Sequence, residues 1–198
     1  IRVTGSELVG MIPLQIMLDT GRYFLKKQHR PTGISDEEII KIAVKSLGLD
    51  DLTPFDPKKK IIEYQLENHT EKRLADMTIT EFANETASES PAPGGGSVSA
   101  CMGAFGAALG TMVANLSAHK KGWDDRWEEF SDWAEKGKHY SERLLTLIDE
   151  DTQAFNAIMT AFGLPKNTEE EKALRSEAIQ AATKQAMEIP FQVMQTAY

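Results

Sequence analysis

The chain has one cysteine, Cys101, in 198 residues, so no disulfide can form within it and a reducing compartment, the cytoplasm, is the expected setting. Basic residues are in short supply: 22 Lys and Arg stand against 30 Asp and Glu, a net charge of −8. An acidic surface repels phosphate backbones and anionic lipid heads, which argues against nucleic-acid and membrane-surface partners. His29, His69, His119 and His139 have no partner at metal-ligand spacing, and no Ser or Cys stands in a nucleophile elbow. Neither a metal site nor a hydrolytic triad is therefore indicated. The N-terminus lacks the basic start, apolar core and small-residue cleavage site of a secretory leader.

Charge is missing altogether from Ser90 to His119, SPAPGGGSVSACMGAFGAALGTMVANLSAH, a run of thirty residues without Asp, Glu, Lys or Arg. A membrane span needs about 20 apolar residues, and Gly96 to Ser117 meets that length. Its composition argues against insertion, because Gly, Ala and Ser dominate, Leu, Ile and Phe are few, and Asn115 interrupts the run. Small residues at Ser97, Ala100, Gly103, Ala107 and Gly110 recur every three or four positions and leave one helix face nearly bare. Such a helix is expected to be buried on most sides, as the hub of a bundle or of an oligomer interface. The GGGS start admits a second reading, in which the free N–H groups of a helix start face an anion or the electronegative edge of a ligand. A Walker loop is excluded, since Lys and Ser/Thr do not follow the glycines in the required pattern.

Around this run the patterning is mainly helical, and the fold class read from it is mainly α: a helical bundle preceded by a small α/β piece. IRVTGSELVGMIP alternates as a strand ending at Pro13, and LQIMLDTGRYFLKK carries apolar residues at helical spacing. Ser35 with Glu38 forms a capping box ahead of IIKIAVKSLGL, with Gly48 placed to end that helix. IIEYQLE is a last strand or a helix turn. A domain boundary is expected near Asn68, giving one domain over 1–67, a polar linker over 68–75, and a helical domain over 76–198. Residues 1–67 hold ten basic and ten acidic residues, so the whole negative excess belongs to the second domain. There Thr78 with Glu81 and Thr168 with Glu171 are further capping boxes. KGWDDRWEEFSDWAEKGKHYSERLLTLIDEDTQAFNAIMTAF is periodic for so long that two helices or a kinked one are expected, and Pro190 should kink or interrupt the last helix. The chain opens without an initiator Met and closes on FQVMQTAY while still amphipathic, so both ends read as cut.

Leu144, Ile148, Asp151, Phe155, Ile158 and Phe162 share one helical stripe, and five of the six are apolar. A carboxylate on such a stripe must be paired, hydrogen-bonded or protonated, since an isolated charge in apolar surroundings is costly. Desolvation would raise its pKa and prepare it for proton transfer. The competing expectation is structural: Asp151 caps a neighbouring helix or lies at the exposed end of the stripe. Asp149, on the adjacent face, is expected to face solvent. Asp124, Asp125, Glu128, Glu129, Asp132 and Glu135 interleave with Trp123, Trp127 and Phe130 as the wet face of an amphipathic helix.

SPAPGGGSV, then GAALGTMVANLSAHKKG, then LIDEDTQAFNAIMTAFGLPKNTEEEK resemble the cyclodeaminase domain of the formiminotransferase-cyclodeaminase family. Upstream, VTGSELVGMIPLQIMLDTGRYF and KSLGLDDLTPFDPKKKIIEY resemble the end of the formiminotransferase moiety, in the family's order. The resemblance implies folate-dependent histidine breakdown. The transferase moves a formimino group from formiminoglutamate to tetrahydrofolate, and the cyclodeaminase closes 5-formimino-tetrahydrofolate to 5,10-methenyl-tetrahydrofolate with loss of ammonia. It implies tetrahydrofolate as substrate carrier, no metal, and homodimers or higher homo-oligomers packed through helices. The transferase's N-terminal part with its catalytic histidine is missing, and the family's cyclodeaminase continues beyond Tyr198, so the chain is expected to be an internal fragment.

By its place in LIDEDTQAF, Asp151 matches the family's proposed catalytic acid. The resemblance further implies that Gly94, Gly95, Gly96 and Ser97 line the folate pocket. Lys120, Lys121, Lys166 and Arg175 become candidates for holding the glutamate tail of a polyglutamylated folate. The alternative is a non-catalytic module for oligomerisation or folate holding, in a protein that is chiefly a formiminotransferase.

Overall fold

A computed structural model describes residues 6–66 and 73–198. The first five residues of the expected strand, His69, the boundary near Asn68 and most of the linker lie outside the described residues. The chain divides into two compact units, residues 1–71 with 109–138 and residues 72–108 with 139–198.

In the first unit, helices α1 (Leu14–Lys27) and α2 (Asp36–Leu47) pack face to face. Met17, Leu18 and Leu25 meet Ile39, Ile40, Ala43 and Val44, with Leu49 and Ile61 closing the cluster. Gly21 lets the two helices approach, since a β-carbon there would stand 2.2 Å from the Ile39 carbonyl oxygen. Ser35 caps α2 by accepting from the Glu38 N–H at 3.4 Å. The reciprocal half of the expected box is not made, because the Glu38 carboxylate takes the Lys41 ammonium at 2.8 Å instead. Gly48, with φ 67°, ends α2 as expected.

The small α/β piece is not seen. Among the described residues the expected strand reduces to a single parallel bridge, Ile12 with Ile61. A ladder needs several consecutive main-chain partners. Here α1 begins straight after Pro13, and Ile61 is confined between two short helices, α3 (Pro57–Lys60) and α4 (Ile62–Leu66). This unit also holds two stacked aromatic pairs. His29 stacks on Trp127 at 5.1 Å, and Trp123 stacks on Phe130 at 5.2 Å.

The second unit is built on helices alone. α5 (Ile79–Thr86) opens with the full Thr78–Glu81 capping box. α6 runs Gly95–Ser117, with its residues up to Ala108 in this unit, α7 runs Trp127–Phe162, with its residues from His139 in this unit, and α8 runs Glu169–Ala197, opened by the full Thr168–Glu171 box. α7 is one continuous helix over Trp127–Phe162, and the start of the periodic stretch is instead a turn at Lys121 and Gly122 followed by a 3-10 turn at Asp124–Arg126. α8 likewise continues through Pro190. Ile189 and Val193, on either side of the proline, are both buried in the same core.

That core joins Ala100 and Ala104 of α6, Leu144, Leu147, Ile148 and Ala154 of α7, and Ile189 and Val193 of α8. Each large apolar side chain buried there contributes about 1.5–3 kcal/mol. Within this unit α6 runs antiparallel to α7, with Ser97 bonded to Ile148 and Ser141 to Ala104. Across α7 and α8, Arg143 donates to both carboxylate oxygens of Glu150, at 2.6 and 3.0 Å, and to Gln192 at 2.8 Å. The Glu150 hydrogen bonds push the Arg143 guanidinium above its ordinary pKa.

α6 is not buried on most sides. On α6, Ser97, Ala100, Ala104 and Ala114 are buried, while Gly103 and Ala107 of the expected face are half-buried and its Gly110 is exposed, as are Met102, Phe105, Leu109, Met112, Val113 and Leu116. The buried face is narrow and built of small side chains, which let another element come close; the opposite side carries the large residues together with Ser99, Gly106 and Ala108. Among the described residues α6 is the one helix long and apolar enough to cross a membrane by length and composition.

Candidate active site

Asp151 stands where the buried half of its stripe ends. Leu144 and Ile148 are each 1% exposed, while Phe162 at the far end is 51% exposed. Asp151 itself is half-buried, and its carboxylate lies against the first turn of α6. Oδ2 accepts the Ser97 main-chain N–H at 2.8 Å and the Ser97 hydroxyl at 2.9 Å. The structural expectation for this acid therefore holds: Asp151 caps α6, whose first hydrogen bond runs from the Val98 N–H to the Gly94 carbonyl. Glycine at the N-cap has no side chain to do this, so the acid comes from α7.

The rest of the carboxylate is free. No hydrogen bond to Oδ1 and no cation paired with Asp151 are present among the described residues. A β-carbon on Gly96 would stand 2.2 Å from Oδ1, so only glycine leaves room for the acid there. At Gly94 and Gly95 a β-carbon would meet nothing within 4 Å, and these two line the open side of the turn.

Ser97, expected to line the pocket, is turned inward. It is 0% exposed, and its hydroxyl lies within reach of the Ile148 carbonyl at 3.0 Å and the Thr152 hydroxyl at 3.2 Å. Thr152 was not singled out from the sequence; its only signal there is adjacency to Asp151. The neighbouring acids are engaged elsewhere. Glu150 is held by Arg143. Asp149, expected to face solvent, has a side chain only 16% exposed. It accepts the Leu74 N–H at 2.7 Å and the Arg73 guanidinium at 3.4 Å.

Two hollows flank this centre within the same unit. One turn along both helices, Leu74, Met77, Phe82, Cys101, Phe105 and Ile148 belong to the wall of an apolar cavity of about 170 Å³. That is smaller than the pockets that enclose whole ligands. The other is an open groove of about 440 Å³ lined by Lys166, Lys172, Arg175, Ser176, Ile179 and Gln180. Arg175 is fixed over the end of α7, donating to the Phe162 carbonyl at 3.2 Å and lying 5.8 Å from the Phe162 ring centre. Phe162 follows Asp151 by eleven residues on one stripe, about 16 Å along the helix.

The structure thus brings Asp151, Gly94, Gly95, Gly96 and Ser97 together and gathers Lys166 with Arg175. It adds Lys172, whose sequence signal was its place three residues before Arg175. Lys120 and Lys121 both belong to the first unit, where the Lys120 ammonium sits 4.3 Å above the Trp123 ring. Among the described residues no three His, Cys, Asp or Glu side chains are grouped to hold a metal ion.

Residues 78–198 match the family described as formiminotransferase-cyclodeaminase, and residues 1–67 match the formiminotransferase domain. The chain is 37% identical to the formimidoyltransferase-cyclodeaminase of Rattus norvegicus over 195 residues, which is 98% of this chain and 36% of that protein. The Dictyostelium discoideum protein of the same name is 36% identical over 97% of this chain and 35% of its own length. The chain thus spans about a third of the length of these relatives. A methenyltetrahydrofolate cyclohydrolase of Methylorubrum extorquens is 44% identical over 113 residues, 57% of this chain and 54% of that one. Among solved structures, a formiminotetrahydrofolate cyclodeaminase from Thermotoga maritima matches with a TM-score of 0.53 and 31% identity. That match covers 63% of this chain and 58% of the other.

Proposed function

Because the chain belongs to the formiminotransferase-cyclodeaminase family, we propose that its second unit closes 5-formimino-tetrahydrofolate to 5,10-methenyl-tetrahydrofolate with release of ammonia. Residues 1–67 then belong to the formiminotransferase that supplies the formimino group in histidine breakdown. The observation that carries this reading is the state of Asp151. It is half-buried, tied through Oδ2, free at Oδ1 and unpaired with any cation among the described residues.

Ring closure requires N10 to attack the formimino carbon and lose its proton, and the amine to gain one and leave. Asp151 Oδ1 takes the N10 proton and returns it to the amine. The negative carboxylate also favours the cationic amidinium and methenyl groups. The open glycine turn at Gly94 and Gly95 admits the pterin end. Lys166, Lys172 and Arg175 line one groove, with Arg175 on Phe162, the last residue of the stripe, and their positive charge suits the carboxylates of a polyglutamate tail. The exposed stripe from Met102 to Leu116 on α6 supports association of copies through helices. The single half-buried thiol of Cys101 fits a cytoplasmic setting.

The test uses the full-length protein supplied with 5-formimino-tetrahydrofolate, following methenyl-folate and ammonia. Asp151→Asn should lower turnover by about 100-fold or more, the usual range for losing a general acid-base, with circular dichroism unchanged. Wild-type turnover in that variant would overturn the assignment.

A second reading draws on the likeness to a methenyltetrahydrofolate cyclohydrolase. In it the same carboxylate activates water against the methenyl carbon. Supplying 5,10-methenyl-tetrahydrofolate separates the two, since only the cyclohydrolase reading predicts enzyme-dependent loss of the methenyl compound. The match of residues 1–67 to the formiminotransferase domain favours the first.

A further inference from the structure

We infer that Ser97 is a positioning residue that decides which oxygen of Asp151 carries the proton, with Thr152 as its support. This rests on the cyclising reading above. Ser97 is 0% exposed, so it does not touch substrate. It nevertheless supplies both hydrogen bonds to Oδ2, from its main chain at 2.8 Å and its hydroxyl at 2.9 Å. An oxygen already accepting two donors is a poor place for a third proton, so proton traffic falls to Oδ1.

The hydroxyl has one proton and three acceptors in reach: Asp151 Oδ2, the Ile148 carbonyl and Thr152 Oγ1. While the carboxylate is charged, the hydroxyl donates to Oδ2 and accepts from Thr152. When N10–H breaks and Oδ1–H forms, the hydroxyl turns to the Ile148 carbonyl, and the main-chain N–H still holds Oδ2. When Oδ1–H breaks again, the proton goes to the amine. The carbon–nitrogen bond then breaks with its electron pair leaving on ammonia, and the hydroxyl returns. The carboxyl is thus held in one place through both protonation states. Among the described residues, the charged neighbours Asp149 and Glu150 on the same helix are engaged by Arg73 and Arg143, and α6 carries no charged residue.

The test compares Ser97→Ala, Thr152→Val, Thr152→Ser and Asp151→Asn in the full-length protein, with folding checked by circular dichroism. Ser97→Ala should lower kcat about fivefold to tenfold, the worth of one hydrogen bond, with KM unchanged. The acidic limb of its rate profile should move to higher pH, because a donor to the charged carboxylate has gone. Thr152→Val should move both quantities the same way by less, and Thr152→Ser should restore them. Wild-type kcat and an unshifted profile in folded Ser97→Ala overturn the inference. Should Ser97→Ala fail to fold, a Thr152→Val enzyme matching wild type in both quantities overturns it. If Asp151→Asn itself retains wild-type turnover, the cyclising reading is what fails. If Asp151→Asn is inactive while Ser97→Ala matches wild type, the role of Ser97 alone is lost.

Discussion

A side chain at position 96 and the carboxylate of Asp151 would claim the same space. A β-carbon on Gly96 would stand 2.2 Å from Oδ1 and 2.5 Å from Cγ of Asp151. The glycine is there because an acid from another helix docks on the first turn of α6.

Gly96→Ala should therefore act on the site as well as on the fold. The new methyl group must expel the carboxylate, costing about 1–3 kcal/mol of stability as an overpacked contact does. Because Asp151 leaves its position, methenyl-folate formation should fall as far as in Asp151→Asn. Gly106→Ala, in the same helix with nothing within 4 Å of the added carbon, should instead stabilise by about 0.5–1 kcal/mol. Urea unfolding of both variants measures the contrast. Equal effects in the two would show that helix propensity, and not the docked acid, governs position 96.

What could be read in advance follows from the range over which each signal acts. Local chemistry was legible: the Thr78–Glu81 and Thr168–Glu171 boxes and the Gly48 stop depend on residues within a few positions of one another. Periodicity also placed Asp151 on an apolar stripe. The partners across helices were not legible. Asp149, Glu150 and Asp151 are consecutive acids, yet one caps the Leu74 turn, one binds Arg143 and one holds Ser97. Composition treats the three alike, and only the packing of α6, α8 and the 73–77 segment separates them. The exposed face of α6 escaped for a related reason. An uncharged helix reads as buried all round, whereas here one face alone is buried, through Ser97, Ala100, Ala104 and Ala114, and Met102, Phe105, Leu109 and Leu116 are left outward.

Cys101 gives a prediction about reactivity. Its thiol sits beside the small apolar cavity under α5, and burial pushes its pKa up. The thiolate is the reacting species, so a raised pKa leaves less of it at any given pH. At neutral pH the folded protein should react with iodoacetamide more slowly than the urea-unfolded chain. The rate should climb only at more alkaline pH than in the unfolded state. Equal rates for folded and unfolded protein across that range would mean the thiol is not held out of water.

Asp149 tests whether the 73–77 segment depends on one carboxylate. Its Oδ1 takes the Leu74 N–H at 2.7 Å at the start of the Leu74–Asp76 turn, and its Oδ2 takes the Arg73 guanidinium at 3.4 Å. Leu74 and Met77 then form part of the wall of the cavity that also touches Cys101 and Ile148. Asp149→Ala leaves the Leu74 N–H without its acceptor, so a loss of about 1 kcal/mol is expected, as for a missing helix cap. Asp149→Asn keeps the oxygen that Leu74 uses and surrenders only the ion pair with Arg73, which is long at 3.4 Å and exposed on the arginine side and so worth little; it should lose less than half as much. Hydrogen exchange should show faster exchange at Leu74 and Met77 in the alanine variant and little change in the core of α7. Cys101 should react faster with iodoacetamide in that variant, because the wall over it has loosened. If exchange at Leu74 is unaltered in Asp149→Ala, the turn is held by its apolar contacts alone and the carboxylate only decorates it.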